Sequence, residues 1–485
     1  MKAEVPVPSL VDTSKETTTF QRRTQAEDST QRCTVRQRED GLAACNHYMV
    51  DRLQDKVNYL ETRIGDFATA FENATGCHPS HPVYAACQEA VLMVGRICCD
   101  SEGRLNERSV LLEGSIELSS GMRTRLDLSK LDSFKIFSGQ VVVVKGSNPA
   151  GACIVAHQLY SSIPAPMPES SFDQLKQPAE TSGEQGLCIV SAAGPFTSKD
   201  DVLFEPLQAV LDHCTERPPH VLLLLGPFVD AEHPLVQAGM LQDSFDDIFA
   251  AQVIAKIDSF LDGAGAHSQV VLVPSTRDVH HHAVFPQPPL TKDSMRSRHP
   301  QAFTCLPNPA IFSCNEVTVG VVTSDVVKHL SGQEVQRGPP GDRLPNLAGH
   351  LLGQQSFYPM YPPAAGVLLD SSLAGKLHLP VSPDILLLPS DLNPFAKLVS
   401  LPAAPPSEAD IASHTTHTSA SSNAGQVVCV NPGRLTKGNG GGTFSCFQIG
   451  MSEESRAAAL GRAPATNGKL PHQVHARCKV TVRRV

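Results

Sequence analysis

Apolar residues near the start of the chain repeat at helical spacing. From position 50 they are separated alternately by three and four residues, as Val50, Leu53, Val57, Leu60, Ile64, Phe67 and Phe71. This spacing places them on one face of a helix, within a helical segment at 46–90. A coiled coil usually needs at least about three to four heptads, so we favour a helix docked on a neighbouring domain over a coiled coil.

Short apolar runs separated by turn residues follow at 91–160. They are Leu92–Cys98, Ser109–Leu112, Val141–Val144 and Ala152–Leu159. Short strands at this density predict a small barrel of the OB-fold type. Such barrels bind single-stranded DNA through aromatic faces in a basic groove. Phe134, Phe137 and Tyr160 do not alternate with basic residues along a strand, so packing is favoured over DNA binding.

Continuous apolar runs begin after residue 185 and extend to the C-terminus. They are Leu187–Val190, Val221–Leu225, Val270–Val273, Val317–Val322, Ile385–Leu388 and Val427–Val430. Runs without alternation belong to strands covered on both faces, which predicts a layered α/β domain at 185–485. A helix with Ser244 as its cap, a buried stripe from Phe245 to Leu261 and an end at Gly263 lies between two of these strands.

Polar stretches separate or interrupt these units. Residues 1–45 lack apolar periodicity and predict a disordered tail, because they cannot offset the entropy of ordering. Residues 161–184, rich in Pro, Ser and Glu, predict a linker or surface loop. Residues 332–345, 403–426 and 452–472 predict flexible surface insertions in the α/β domain.

The composition narrows the classes of function. The chain has 485 residues, and its net charge of −9 gives it no general attraction for nucleic-acid phosphates. It contains no Trp, so it offers few aromatic platforms for base stacking. Its 14 cysteines form no C-x-x-C pair, which favours a reducing compartment over a zinc site or a disulfide framework. The chain shows no secretory apolar region and no run of about 18 to 20 apolar residues, so we expect a soluble intracellular protein without a membrane segment.

Loops at the carboxyl ends of the predicted strands are the expected place for chemistry. They are Ser191–Phe196, Gly226–Asp230, Pro274–His282, Thr323–Asp325, Pro389–Asp391 and Asn431–Thr436. Their order resembles the calcineurin-like metallophosphoesterases, whose strand ends carry D-x-H, G-D-x-x-D, G-N-H and G-H-x-H around two metal ions. Those ligands are replaced here by Ser191-Ala192-Ala193, Pro227, Ser275-Thr276 and Asn431-Pro432-Gly433-Arg434.

This resemblance implies a calcineurin-like phosphodiesterase fold without a complete metal site. We therefore predict no catalytic residue, no metal ligand and no cofactor. An alternative is a metal-dependent phosphoesterase with atypical ligands, since histidine and carboxylate side chains suit a divalent ion. Its candidate ligands are His280, His281, His282, Asp230, Asp278 and Asp325.

Longer blocks of the same loops resemble the B subunits of DNA polymerase alpha. The match runs in order from about Gly95 to the C-terminus. The block residues, candidates for structural or interface roles, are Gly226, Pro227, Phe228, Asp230, Pro274, Ser275, Arg277, Asp278, His280, His281, Tyr358, Pro359, Tyr361, Pro362, Asn431, Pro432, Gly433 and Arg434.

The resemblance implies a non-catalytic scaffold in the nucleus. Such a protein would bind the C-terminal region of the catalytic polymerase subunit and connect it to primase. Contact with DNA would be weak or indirect, although single-strand binding through the barrel stays an alternative. The family's small helical N-terminal domain is not identified in this sequence.

Overall fold

The computed structural model describes residues 33–38, 42, 47–100, 103–171, 175, 186–339, 341–401, 425–452 and 469–485. Most of the predicted tail and of the insertions at 403–426 and 452–472 lies outside these residues. Within the described ranges, no helix is both long enough and apolar enough to cross a membrane.

A short strand, β1 (Val35–Gln37), lies inside the predicted tail. It pairs antiparallel with Phe312–Cys314, and Cys33 just before it is buried in the core of the α/β domain. The prediction of a disordered tail at 1–45 is therefore wrong for residues 33–38. Two alternating apolar residues are too short a pattern to distinguish a strand from a polar tail.

Helix α1 (Leu53–Thr75) docks on the barrel that follows it. The side chains that it buries there are Ile64, Phe67 and Phe71. Val50 and Leu53, at the start of the predicted stripe, are 69% and 78% exposed. Only the later part of the apolar stripe is therefore covered by other residues. The helix ends at Gly76, which takes the left-handed conformation. The docked-helix interpretation is confirmed.

Five strands close a barrel in the order β2-β3-β4-β7-β6. Their bounds are β2 Cys87–Cys99, β3 Val110–Glu113, β4 Arg123–Asp127, β6 Val141–Asn148 and β7 Cys153–Tyr160. Helix α2 (Ile116–Ser119) follows β3, and β5 (Phe134–Ile136) lies outside the barrel. The predicted small barrel is confirmed, although the sequence pattern missed β4 and β5.

Two six-stranded sheets form the α/β domain. One contains β1, β13 (Ala310–Cys314), β14 (Val317–Val321), β16 (Ile385–Leu387), β18 (Gln426–Asn431) and β17 (Phe395–Ser400). The other contains β12 (Phe303–Cys305), β11 (Gln269–Val273), β10 (Val221–Leu225), β9 (Leu187–Ala193), β21 (Thr443–Ile449) and β23 (Cys478–Arg484).

Short elements complete the domain. The helices are α3 (Glu205–Glu216), α4 (Pro234–Gln237), α5 (Phe245–Ile248), α6 (Ala255–Leu261), α7 (Lys292–Met295), α8 (Val326–Gln333), α9 (Arg343–Gly353) and α10 (Val474–Arg477), with a π-helical turn at Phe249–Ile254 and a 3-10 turn at Ala374–Leu377. The remaining strand pairs are β8 (Glu169–Ser170) with β22 (Leu470–Pro471), β15 (Val335–Arg337) with β5, and β19 (Thr436–Lys437) with β20 (Gly440–Gly441).

Strand β10 shows why the apolar runs are continuous. Val221, Leu223 and Leu225 point into the core between the two sheets, whereas Leu222 and Leu224 face the helices on the other side. Both faces of this strand are therefore buried, and alternation disappears. Helices α8 and α9 cover the outer face of the other sheet in the same way. The layered α/β prediction is confirmed.

The predicted helix from Ser244 to Gly263 is formed by α5, the π-helical turn and α6. Ser244 caps its start by accepting a hydrogen bond from the Asp247 backbone N–H at 3.1 Å. The prediction that Phe245 is buried is wrong, because this first helical residue is 37% exposed. The chain leaves the helix at Asp262, one residue before Gly263.

The barrel and the α/β domain are joined by hydrogen bonds. Strand β15 pairs antiparallel with β5, so the prediction of a flexible insertion at 332–345 is wrong for these residues. The Gln354 side chain accepts a hydrogen bond from the Val141 N–H and donates one to its carbonyl, both at 2.8 Å. Gly139 (φ +91°) faces the Tyr361 backbone so closely that any side chain there would collide with it.

The described part of the predicted linker, 161–171 and Leu175, is packed rather than free. Ser170 contacts the His472 Nε2 at 2.8 Å, and the His472 Nδ1 lies 2.8 Å from an Asp384 carboxylate oxygen. Serine hydrolases use the same order of contacts, but here all three side chains are buried. We therefore interpret this triad as a clamp that holds the β8–β22 pair on the domain.

Candidate functional site at the strand-end loops

Asp278 fastens the loops that follow β10 and β11. Its carboxylate accepts hydrogen bonds from the backbone N–H groups of Phe228, Val229 and Ser275, at 2.5, 3.2 and 2.7 Å. A side chain at Gly226 would collide with this carboxylate and with the Ser275 backbone. Glycine is therefore required there, and Asp278 takes the structural one of the two roles expected for the block residues.

Burial also changes the acidity of Asp278. It raises the pKa of this carboxyl to about 7, against the three N–H donors, which favour the ionised form. Asp278 is buried and engaged on both oxygens. It is therefore not free to bind a metal ion without unfastening the two loops.

Asp230 is paired with Arg277 across the same two loops. The Arg277 Nε donates to Asp230 at 2.9 Å, and a second guanidinium nitrogen binds the other carboxylate oxygen. The guanidinium also lies 2.9 Å from the Glu232 carboxylate. Burial opposes the charge on Arg277, but Asp230 and Glu232 outweigh it and raise the pKa of the guanidinium. This forked contact is the strong geometry of an arginine–carboxylate pair.

A second ionic cluster occupies the loops after β14, β16 and β18. Asp391 lies 3.0 Å from the Arg434 Nε and 2.6 Å from the Lys328 Nζ, and Arg434 also lies 3.6 Å from Asp325. Partial burial opposes ionisation of Asp391, but Lys328 and Arg434 outweigh it and lower its pKa to about 2. Asp325 additionally caps α8 by accepting from the Lys328 backbone N–H.

Asn431 organises the loop after β18. Its side-chain oxygen accepts from the Ser390 and Gly433 backbone N–H groups, both at 2.9 Å. Its amide nitrogen donates to the Leu392 and Asn393 carbonyls at 3.1 and 3.2 Å. Buried Pro432 and Gly433 follow it. These residues shape a turn, and they place Arg434 next to Asp391.

The three consecutive histidines do not converge on the carboxylates. His281 Nε2 contacts the Pro288 carbonyl at 2.7 Å, and His282 lies against the Tyr48 ring. His280 stacks on Phe249 with ring centroids 4.3 Å apart, and burial lowers its pKa to about 4. Among the described residues, no three His, Cys, Asp or Glu side chains lie where they could share a metal ion.

The block Tyr358–Pro362 lies away from the strand-end cluster, at the joint with the barrel. Tyr358 is fully buried, and its hydroxyl accepts from the Ala364 N–H at 3.0 Å. The Arg96 guanidinium of the barrel lies 5.1 Å from the Tyr361 ring centroid, and the Tyr361 N–H donates to the Ser138 carbonyl. This block connects the two domains rather than lining a site.

The aromatic candidates for DNA stacking are packed inside the protein. Phe134 and Phe137 are buried, and Tyr160 packs on Phe71 of α1 with ring centroids 5.2 Å apart. Single-strand binding by stacking needs exposed aromatic faces. These three residues therefore do not provide a stacking surface.

Sequence reasoning missed Lys328 as a member of the second cluster. The signal for it is its position three residues after Asp325, one turn into a helix that starts at a strand end.

The exposed members of the loop blocks are few. Pro362 is exposed and Arg277, His280, His281 and Tyr361 are partly exposed, whereas the Gly226–Asp230 and Asn431–Arg434 segments are buried.

Comparison with known proteins identifies both domains. A family model for the B subunit of DNA polymerase alpha/epsilon matches residues 189–397. A model for the OB domain of the DNA polymerase alpha B subunit matches residues 57–162, which include the barrel and most of α1.

Relatives match across the two domains. The DNA polymerase alpha B subunit of Rattus norvegicus is 34% identical over 400 residues, which cover 82% of this chain and 60% of the relative. The protein of the same name from Schizosaccharomyces pombe is 33% identical over 381 residues, covering 76% and 61%, and that from Saccharomyces cerevisiae is 28% identical over 447 residues, covering 81% and 58%. The chain spans about three fifths of the length of these relatives. It belongs to the family of DNA polymerase alpha B subunits.

Proposed function

We propose that this chain is a non-catalytic accessory subunit of the DNA polymerase alpha/primase complex. In this role it binds the C-terminal region of the catalytic polymerase subunit and reaches primase through the complex, in the nucleus, during initiation of DNA replication. The observation that carries the proposal is the match, over 82% of the chain, to a relative named as the B subunit of DNA polymerase alpha.

We further propose that the α/β domain is a calcineurin-like phosphodiesterase fold that has no catalytic role. Two observations support this. The domain has two central sheets with helices on both outer faces, and its loops gather at strand ends. The acidic side chains there are paired with cations of the protein itself, Asp230 with Arg277 and Asp391 with Arg434 and Lys328.

This charge pairing bears directly on the alternative of an atypical phosphoesterase. A divalent ion would have to displace Arg277 from a buried carboxylate, and removing one partner of such a pair is strongly unfavourable. Pro227 and Ala193 offer no side-chain ligand to replace it. We therefore favour an accessory role over phosphodiester hydrolysis.

The burial of the loop blocks bears on how a partner would bind. Most residues of the loop blocks are buried and hold the loops in place, so they shape a surface rather than form it. A rigid surface loses little entropy on binding, which suits a scaffold. DNA contact remains weak or indirect in this proposal, because the net charge is −9 and the barrel aromatics are buried.

Co-expression tests the proposal. The full chain is produced with the tagged C-terminal region of a DNA polymerase alpha catalytic subunit, and the eluate is examined by size exclusion with light scattering. We expect a stable complex of one copy of each. The matched control is the corresponding region of a DNA polymerase epsilon catalytic subunit, which we expect to elute alone. A folded chain that ignores the alpha region would contradict the proposal.

A further inference from the structure

A cavity of about 420 Å³ lies where α1, the barrel and the α/β domain meet. Helix α1 contributes Tyr59, Arg63 and Phe67 to its wall, and Val141 and Leu377 come from the other two units. This volume is in the range of small-molecule sites. The cavity is separate from the strand-end loops, and no sequence motif pointed to it.

Arg63 is the unusual residue of this cavity. Both terminal guanidinium nitrogens are buried, and neither has a hydrogen-bond acceptor among the described residues. The Tyr59 hydroxyl, one helical turn earlier, likewise lacks a partner in the described part of the chain. The guanidinium carbon lies 5.8 Å from the Tyr59 ring centroid. A buried charge without an acceptor is costly, so this arrangement favours an acceptor from outside the chain, either water or a ligand in the cavity.

The barrel side of this junction adds further donors, whereas Asp55 and Asp66 of α1 bring acceptors to the cavity. Burial lowers the pKa of Arg63, the adjacent Tyr59 side chain acts against this, and the nearby cation Arg96 lowers the pKa further. Within the described residues, the Arg96 Nε and the Gln140 side-chain nitrogen also have no acceptor. Arg96 and Gln140 lie beside Val141 of the cavity wall, because Arg96 is the register partner of Val141 and Gln140 precedes it. Neither residue lines the cavity itself, and another Arg96 nitrogen already binds the Glu113 carboxylate at 2.7 Å, so Arg63 and the Tyr59 hydroxyl are the donors proposed to meet an anion there.

We propose that this cavity binds a carboxylate carried on an apolar stem. The planar guanidinium of Arg63 fits the two oxygens of a carboxylate, and the Tyr59 hydroxyl supplies a further hydrogen bond. Phe67, Val141 and Leu377 give an apolar wall for the stem. Because both nitrogens are buried beneath the wall, binding requires a rotation about the last torsions of Arg63 that turns them towards the cavity.

A carboxylate suits the site better than a phosphate does. Asp55 and Asp66 also line the cavity. Their negative charges repel a doubly charged phosphate more strongly than a singly charged carboxylate. The carboxylate has two possible sources, a free organic acid or a Glu or Asp side chain on a polypeptide. This inference does not rest on the proposed polymerase partner.

Calorimetric titration of the full chain tests the site with two carboxylate probes. Phenylacetate represents a free acid, and N-acetyl-Leu-Glu-Leu-amide represents an acidic side chain. Their neutral matches are phenylacetamide and N-acetyl-Leu-Gln-Leu-amide. We expect saturable binding of a carboxylate probe, at least about tenfold weaker binding of its neutral match, and a similar loss in Arg63→Gln. Tighter binding of the peptide assigns the source to a polypeptide, and tighter binding of phenylacetate assigns it to a free acid.

Lys56→Gln is the control for charge, because this exposed residue lies on the same helix outside the cavity. We expect it to bind the probes like the original chain. Equal binding of acids and amides, no binding of either acid, or unchanged binding in Arg63→Gln would overturn the proposal.

Thermal unfolding of Arg63→Met provides a readout that does not depend on the choice of probe. Methionine keeps an apolar stem and removes the unpaired charge, so the melting temperature without ligand should stay equal or rise. A clear fall in melting temperature would mean that Arg63 already has a structural partner, which contradicts a vacant ligand site.

Discussion

The strand-end loops and the cavity beside α1 differ in whether their charged side chains have partners within the chain. In the loops, Asp230, Asp325 and Asp391 each lie close to an arginine of the same cluster. In the cavity, the Arg63 guanidinium is buried without an acceptor among the residues that the structure describes. The loops carry the most distinctive sequence motifs, yet their acidic side chains are already paired with basic side chains of the same protein.

This difference teaches that the position of a loop and the availability of its side chains are separate properties. Loops at the carboxyl ends of strands are the usual place for a ligand. Here they hold the architecture together through ion pairs and through Asp278. A buried group that lacks a partner is the stronger indication of a missing ligand, because the fold bears the cost of leaving it unpaired.

The largest effect is expected at Asp278. Replacing it by alanine removes the acceptor for three buried backbone N–H groups. Each unsatisfied group costs about 1 to 3 kcal/mol, so Asp278→Ala should lower the free energy of unfolding by at least about 3 kcal/mol. Urea unfolding followed by circular dichroism measures this. The exposed Asp132→Ala serves as control, and an Asp278→Ala variant as stable as this control would refute a structural role.

A smaller loss is expected when the Arg277–Asp230 pair is broken. Arg277→Ala leaves the buried Asp230 carboxylate without its main partner, which should cost about 2 to 3 kcal/mol, less than at Asp278 because Arg277 is partly exposed. The double variant with Asp230→Ala should lose less than the sum of the two single variants. Arg104→Ala, an exposed arginine, is the control. Additive losses would show that the two side chains are not coupled.

The third effect concerns pH. Burial lowers the pKa of His280 to about 4 in the folded protein, below the ordinary value of 6.5. Between these values the unfolded chain binds a proton that the folded chain does not, so stability is complete above pH 6.5 and is lost as the pH falls. The contribution of His280 alone to the free energy of unfolding should fall by about 2 kcal/mol between pH 7 and pH 5. The raised pKa of Asp278 acts in the opposite direction over the same range, so the effect of His280 is read from the comparison with its variant.

His280→Phe should remove this part of the pH dependence, because phenylalanine can keep the stacking on Phe249 without a titrating group. The measurement is urea unfolding at both pH values. The control is His267→Phe, at an exposed histidine, which should leave the pH dependence of the original chain. Identical pH dependence in the His280→Phe variant and the original chain would contradict this account of His280.

The sequence predicts those elements whose buried residues follow a regular pattern along a short stretch of the chain. Val221–Leu225 is a continuous apolar run and forms strand β10 with the same bounds. Strand β4 (Arg123–Asp127) was missed because only Thr124 and Leu126 are buried between charged neighbours. Strand β15 was missed because its partner β5 lies about 200 residues earlier in the chain, and pairing over such a distance leaves no local signal.

The same limit applies to the candidate site. The loops and the missing metal ligands can be read from the sequence, since Pro227 and Ala193 have no side-chain donor. The pairing of Asp230 with Arg277 cannot be read from the sequence, because the two residues are 47 positions apart. Arg63 lies on a predicted helix without any distinguishing pattern, and its lack of a partner depends on three units that meet only in the folded chain.

Manganese binding tests most directly the claim that the strand-end carboxylates are committed to the protein's own cations. Mn²⁺ is titrated into the full chain and into Asp230→Ala, and free ion is counted by electron paramagnetic resonance. We expect the full chain to have no saturable Mn²⁺ site that is lost in Asp230→Ala. We also expect it not to hydrolyse bis(p-nitrophenyl) phosphate above the buffer rate. Stoichiometric binding of Mn²⁺ that is lost in Asp230→Ala, together with hydrolysis, would contradict it.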